Sequence, residues 1–537
     1  MIKFDPLSYH YASRRNVVYA EKGMVATSHP LAAQAGLDIL KQGGNAIDAA
    51  IATAACLTVV EPTANGLGGD AFALVWSGDK LHGLNASGPA PMGISAQALR
   101  EKGHTEMPVY GLDPVTIPGL PAGWATLSEK FGRLEFSKLL EPAINYAEHG
   151  FPIAVTVAKA WEEAFALYKQ KLTDPLFTHW FDTFAPKGRA PRAGELFSNP
   201  ALGKTLRSVA ATKSGSFYNG ELAQAIVAFS QKNGGYHTLE DFARYQPEWV
   251  EPISVNYRGY DVYEIPPNGH GITVLMALNI LKGFTFESTR ETPETYHKMI
   301  EAVKLAFCDA KEYVTDAGCM SVSVSDMLSE TYAAERRALI SETALEPVPG
   351  KPTKGGTVYL ATADGEGNMV SFIQSNYMGF GSAVVVPETG IALHNRGNNF
   401  NLTEGHDNCL APGKKPYHTI IPGFLGKGGK AIGPFGVMGG FMQPQGHVQM
   451  VTNTIDFHLN PQDSLDAPRW QWTGGKTIEI EGEMDRSIVK DLIRRGHDVK
   501  LHYNHEIMGR GQIIWRNEDG VLCGGSEPRT DGTIASW

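Results

Sequence analysis

The chain has 537 residues, 42% of them hydrophobic and 19% charged, so it can bury a large core and is not a disordered tail. Lys+Arg 47 against Asp+Glu 57 gives a formal net charge of −10, which excludes a global positive field for nucleic acid or anionic membrane. Glycine, at 59 residues, is about 11% of the chain against a usual ~7%, and predicts many tight turns and close backbone approaches.

Residues 1–16 (MIKFDPLSYHYASRRN) hold no apolar segment and no small-residue cleavage site, so no secretory signal is read there. No window approaches ~18 uninterrupted apolar residues, so no membrane span is expected. The five cysteines (Cys56, Cys308, Cys319, Cys409 and Cys523) are widely spaced without a C-x-x-C pair. That spacing argues against a disulfide framework or a zinc site, and reduced thiols suit a cytoplasmic protein.

From Leu31 the pattern LAAQAGLDILKQGG predicts a helix that stops at Gly43-Gly44. Asn45 is placed to cap the next helix, AIDAAIATAACLTVVEP, which is apolar nearly all round and therefore expected at the centre of the core. Residues 66–76 (GLGGDAFALVW) read as a glycine turn feeding a buried strand. They lack the lysine of a phosphate-binding loop and precede a strand, so that function is rejected. Residues 120–310 read as mainly helical, with LEFSKLLEPAINYAEHG and ETYHKMIEAVKLAFCDAKEYV as amphipathic runs. Between them ISVNYRGYDVYEIPP alternates as a strand pair and breaks at Pro266-Pro267.

Composition then shifts. Residues 345–356 (LEPVPGKPTKGG) carry three prolines and three glycines and predict an exposed connector. Directly after it come TVYLATA, the turn DGEGN and MVSFIQS, the pattern of a β-hairpin. SAVVVP and KTIEIEG read as further strands and DRSIVKDLIRRG as a helix; no solenoid repeat or low-complexity segment is present. His502 and His505 (HYNHE) have metal-like spacing but fall in a strand or loop, Lys414-Lys415 reads as a solvated pair, and no metal site is assigned.

Thr357 begins a core strand right after the glycine-ended connector. Cleavage of the Gly356–Thr357 bond would give it a hydroxyl nucleophile and a free α-amine on one residue. An α-amine has a reference pKa of ~7.7–8, so it can serve as the base for its own hydroxyl. Gly356 has no side chain to obstruct attack on its carbonyl. The plain alternative is a threonine that merely starts a strand.

Several blocks in order carry a family resemblance. They are EPTANGLGGDAFAL, TIPGLPAGW, EPAINYAEHGF, GSFYNGELA, NYRGYDVYEIPP, IEAVKLAFCDAKEY and VTNTIDFHLNPQDSLDAPRW. They run from GMVATSHPLAAQAGLDILKQGGNAIDAA to GGSEPRTDG, nearly the whole chain. The chain resembles the γ-glutamyltranspeptidase family of N-terminal-nucleophile hydrolases, made as one chain and self-cleaved. The resemblance implies an α+β fold, an αββα four-layer sandwich, with subunits 1–356 and 357–537 intertwined in one core. It places Thr357 on the nucleophile, Asp364 on the hairpin aspartate, and Ser375 where a second threonine lies near the nucleophile's amine. Gly439-Gly440 (GVMGGFMQ) match the pair whose N–H groups form the oxyanion hole.

The departures fall on the substrate pocket. Ser87, in NASGPAP, stands where the family has an arginine gripping the α-carboxylate, and a serine lacks that charged fork. Asn399 (HNRGNNF) replaces the aspartate that holds the α-amine, and His418 and Thr419 replace two serines. Arg396 stands where glutamine is common and is offered as a new partner for a substrate carboxylate, with a surface loop arginine as the plain alternative. For His418 packing is preferred. The segment between Asn399 and His418 is shorter than in many members, implying a reduced or absent lid.

The expected chemistry is attack by Thr357 on an amide and transfer of the acyl group to water or another amine, with no cofactor. γ-Glutamyl compounds such as glutathione are the default substrate class. The rivals are a related amidohydrolase or acylase of another small carboxylated amide (oxamate or a cephalosporin side chain), and an inactive binding or scaffold relative. The expected partners are the small-molecule amide with its acceptor and the two subunits, associating further as a dimer of heterodimers; no nucleic acid and no membrane.

Overall fold

A computed structural model describes residues 10–11, 15–347 and 356–537. Most of the 1–16 segment and residues 348–355 of the expected connector lie outside the described residues.

Two seven-stranded sheets, antiparallel throughout, form the centre. One runs Thr533–Ser536, Gly23–Thr27, Gly356–Asp364, Met369–Tyr377, Asp70–Ser77, Lys80–Ala86, Glu248–Val250. The other runs Val18–Ala20, Leu522–Ser526, Arg510–Arg516, Lys430–Met438, Gly423–Lys427, Tyr260–Glu264, Ile253–Tyr257. Strand Gly356–Asp364 packs face to face on Lys430–Met438 and Arg510–Arg516. Helices Pro30–Lys41, Ala46–Val60 and Leu120–Phe131 contact the first sheet, and Gly271–Leu281, Met442–Ile455 and Pro461–Asp466 contact the second. Strands from both sides of the Gly356–Thr357 bond interleave in each sheet, so cutting that bond would leave two pieces sharing one core.

The sequence explains why the middle is so closely packed. Asn45 caps helix Ala46–Val60 in a capping box with Asp48, and all fifteen residues of that helix are buried. Small residues on its neighbour let the two helices touch: a Cβ at Gly36 would lie 2.2 Å from Thr53 Oγ1. The expected strand pair is Ile253–Tyr257 with Tyr260–Glu264, and the expected hairpin is Gly356–Asp364 with Met369–Tyr377. The strand therefore starts one residue before Thr357. SAVVVP shrinks to Val385–Val386, because only Ile391–Ala392 is available to pair with it.

All five cysteines are free thiols. Among the described residues no helix is long and apolar enough to cross a membrane.

Candidate functional site

Thr357 is 2% exposed, at a register shift in the hairpin. Gly356 pairs with Tyr377 and Val358 with Gln374, so Ser375 and Asn376 together face Thr357. Such a bulge re-aims side chains. It is completed by Tyr377 at φ +73°, a left-handed conformation uncommon for a bulky residue. Ser375 Oγ accepts from the Tyr377 backbone N–H at 2.7 Å and from Thr357 Oγ1 at 3.2 Å. Gln443 Nε2 donates to Thr357 Oγ1 from the other side at 3.4 Å. Gln443 Oε1 in turn accepts from Ile421 N at 2.9 Å, which fixes the orientation of its carboxamide.

Gln443 comes from the first turn of helix Met442–Ile455, which begins just after the Gly439-Gly440 turn at the end of strand Lys430–Met438. These glycines sit at φ +133° and +60°, where a side chain would be strained. Their carbonyls accept from Met442 N and Gln443 N, while their own N–H groups bond to no described residue. Two donors with no partner among the described residues thus lead into the helix whose Gln443 reaches the Thr357 hydroxyl, and a helix N-terminus stabilises negative charge. Asp364 organises the hairpin turn by accepting from Glu366 N and Asn368 N, and it also takes Ala46 N at 2.9 Å.

A fully buried charge cluster lies one strand away. Asp70 is the cross-strand partner of Ser375. Arg396 holds it bidentately, Nε to Oδ2 at 2.8 Å and Nη2 to Oδ1 at 3.0 Å, and donates from Nη1 to Thr419 Oγ1 at 2.8 Å. His418 Nε2 donates to Asp70 Oδ2 at 2.7 Å, and its Nδ1 accepts from Ile420 N. His394 Nδ1 lies 3.3 Å from the same oxygen. Burial alone would raise the Asp70 carboxyl, but the Arg396 guanidinium and His418 outweigh it and hold Asp70 well below the usual carboxylate range. Burial, with help from Arg396, pushes His418 down to about 4, so it is a neutral donor at pH 7.

This corrects the expectation for Arg396. It is neither a surface arginine nor a fork open to a substrate carboxylate, because the carboxylate it holds is Asp70, its face stacks 4.7 Å from the Tyr377 ring centroid, and it is 0% exposed. Thr419 and His418 are likewise committed to the cluster. Ser87 donates from Oγ to Asn85 Oδ1 at 2.7 Å and is buried.

Asn399 behaves differently. It ends the short helix Arg396–Asn399, and its Nδ2 is buried without a partner. It lines a cavity of about 560 Å³ together with Tyr417, Phe441 and Lys311. These neighbours tie the cavity to the centre: Tyr417 precedes His418, and Phe441 follows Gly440. The segment after Asn399 also lines the cavity, and its Leu402 and Leu410 pack in a small core of their own with Ala90, Ile94, Leu99 and Met107.

His502 and His505 do not meet: His505 faces Glu481 and Glu483, and His502 faces Glu479. Among the described residues the three-ligand cluster is His297, Glu301 and His497, where the Lys304 ammonium already occupies Glu301 Oε1 at 2.7 Å. Sequence reasoning missed Asp70, Gln443 and Lys311. The signal for Lys311 was its position four residues after Phe307, on the apolar side of a buried helix.

Comparison with known proteins places this geometry among relatives. The Gamma-glutamyltranspeptidase family model matches residues 32–537. The chain is 38% identical over 525 residues to a glutathione hydrolase-like YwrD proenzyme of Bacillus subtilis, covering 96% of this chain and 98% of that one. It is 33% identical over 529 residues to an oxamate amidohydrolase proenzyme of Klebsiella pneumoniae, with 96% and 98% covered. Its structure is similar to the crystal structure of cephalosporin acylase from Bacillus halodurans, with a TM-score of 0.96, 62% identity, and 100% and 99% of the chains covered.

Proposed function

The chain belongs to the Gamma-glutamyltranspeptidase family, and within it we propose an amide hydrolase and acyltransferase whose nucleophile is Thr357, exposed by self-cleavage after Gly356. The helix-flanked pair of sheets supports the αββα, N-terminal-nucleophile reading. The observation that carries the proposal is the Thr357 hydroxyl, held between Ser375 Oγ and Gln443 Nε2, with Gln443 standing three residues after Gly440 in the turn whose Gly439 and Gly440 N–H groups have no partner among the described residues.

In the precursor, Thr357 Oγ1 attacks the Gly356 carbonyl carbon. The C–N bond breaks, the hydroxyl proton passes to the departing amine, and an ester forms that water hydrolyses to the Gly356 carboxylate and the free Thr357. The new α-amine, with a reference pKa near ~7.7–8, then takes the hydroxyl proton as Oγ1 attacks a substrate amide. Charge developing on the carbonyl oxygen is received by the glycine N–H donors, each worth about 2.7–4 kcal/mol of barrier in such sites. The substrate amine leaves with the proton, and water or a second amine takes the acyl group.

The pocket favours a small carboxylated amide other than a γ-glutamyl compound. Ser87 is turned onto Asn85, Arg396 is committed to Asp70, and Asn399 carries no charge for an α-ammonium. The test is acyl trapping: processed enzyme treated with an activated acyl ester should carry the acyl mass on the peptide that begins at Thr357. Acylation of any other residue would overturn the assignment.

A further inference from the structure

The cavity beside Asn399 contains a cation that pairs with no carboxylate among the described residues. Lys311 lies in the last turn of helix Pro293–Tyr313, and its stem is partly exposed while its Nζ is buried and donates to no group. It forms no ion pair among the described residues. Three aromatic rings surround the ammonium instead: Phe441 at 4.8 Å, Trp472 at 5.7 Å and Phe307 at 6.0 Å from Nζ to ring centroid. Ring faces attract a cation but supply no countercharge, and a buried unpaired charge is costly. Burial accordingly pushes the Lys311 ammonium down to about 8.

Asn399 Nδ2 is a second unpaired donor in the same cavity wall. Two donors, one charged and neither used by the protein, make a recess suited to an anion. Two of the lining residues are neighbours in the chain of residues at the candidate centre: Phe441 follows Gly440, and Asn399 lies three residues after Arg396. We propose that Lys311 and Asn399 bind a carboxylate at the far end of the substrate's acyl group, so that the preferred donors are monoamides of dicarboxylic acids without an α-ammonium. This rests on the Thr357 reading above and names its substrate class. An α-ammonium on the acyl chain would meet the Lys311 charge, and the carboxylate that lines the cavity, Glu106, is exposed and forms no ion pair with Lys311, which turns the site against γ-glutamyl donors.

The test compares p-nitroanilides of dicarboxylic acids of increasing length (oxalyl, succinyl, glutaryl, adipyl) with neutral alkanoyl anilides of matched length and with the γ-glutamyl anilide. The wild-type enzyme should prefer one carboxylated member over its neutral match by about tenfold or more in kcat/KM, the scale of one charge-assisted hydrogen bond. Lys311→Met should abolish that ratio mainly through KM, and Lys311→Arg should restore part of it. Free dicarboxylates should inhibit the wild type competitively and better than monocarboxylates, a measurement that stands even if the methionine variant fails to fold. A processed enzyme that cleaves neutral and carboxylated amides equally, or prefers the carboxylate on the amine side, overturns this site and leaves Thr357 chemistry intact. A wild-type chain that stays uncut and inactive on every anilide overturns the Thr357 reading, and absence of dicarboxylate binding to that chain would overturn the Lys311 site separately.

Discussion

Arg396 and Asp70 form a fully buried bidentate ion pair, 326 residues apart in the chain and one strand from the Thr357–Ser375 contact. The pair turns the Arg396 guanidinium inward, onto Asp70. It braces the strand opposite Ser375 and fixes Thr419 and His418, so substrate charge must be met elsewhere.

Removing one partner of this pair should damage the fold and not the affinity. Arg396→Gln leaves a buried carboxylate uncompensated, a loss of about 3–5 kcal/mol. Low soluble yield and a depressed Tm are expected, with partial recovery in the Asp70→Asn, Arg396→Gln double variant. A variant of wild-type Tm that changes only KM would show that Arg396 serves substrate.

Gly439→Ala should act on the chemical step. At φ +133° a Cβ is strained and would lie 3.1 Å from Gly509 Cα, so the turn must shift and carry its N–H away. Loss of one oxyanion donor costs about 10²–10³ in kcat. Turnover per processed molecule measures this, and a kcat within twofold of wild type would remove Gly439 from the site.

Ser375→Ala deletes the acceptor for both the Thr357 hydroxyl and the Tyr377 N–H. Each such bond is worth about 1 kcal/mol, so losing both should slow self-cleavage of freshly made precursor by roughly thirtyfold. A time course of band conversion on a denaturing gel reads the rate, and an unchanged rate would exclude Ser375 from positioning the nucleophile.

Acid should unfold the protein through its buried neutral histidines. Burial lowers His29, His237 and His418 to about 4 and His447 to about 3. Their folded pKa values lie below the unfolded ~6.5, so the stabilisation is full above pH 6.5 and is lost as pH falls through 4. Tm measured from pH 7 to pH 4 should drop steeply below about 6.5, and a flat profile would contradict neutral burial.

Much of the frame was readable from sequence because its signals are local. Gly43-Gly44 and Asn45 mark helix ends by backbone geometry, and the DGEGN turn between alternating runs marks the hairpin that presents Thr357. The charge cluster was not readable, since Asp70, Arg396, His418 and His394 come together only when distant strands and loops pack. Arg396 therefore looked available when its carboxylate lay in a strand already read as core. Lys311 was not read as a site residue because nothing local reveals that Phe441 and Trp472 close over it.

The account depends most on one bond. Intact-mass measurement of the purified wild-type protein should give two polypeptides, residues 1–356 and 357–537, the second with a free N-terminal threonine, while Thr357→Ala remains a single 58.2 kDa chain. A wild-type protein that hydrolyses amides as one uncut chain, or an alanine variant that still splits before residue 357, would contradict it.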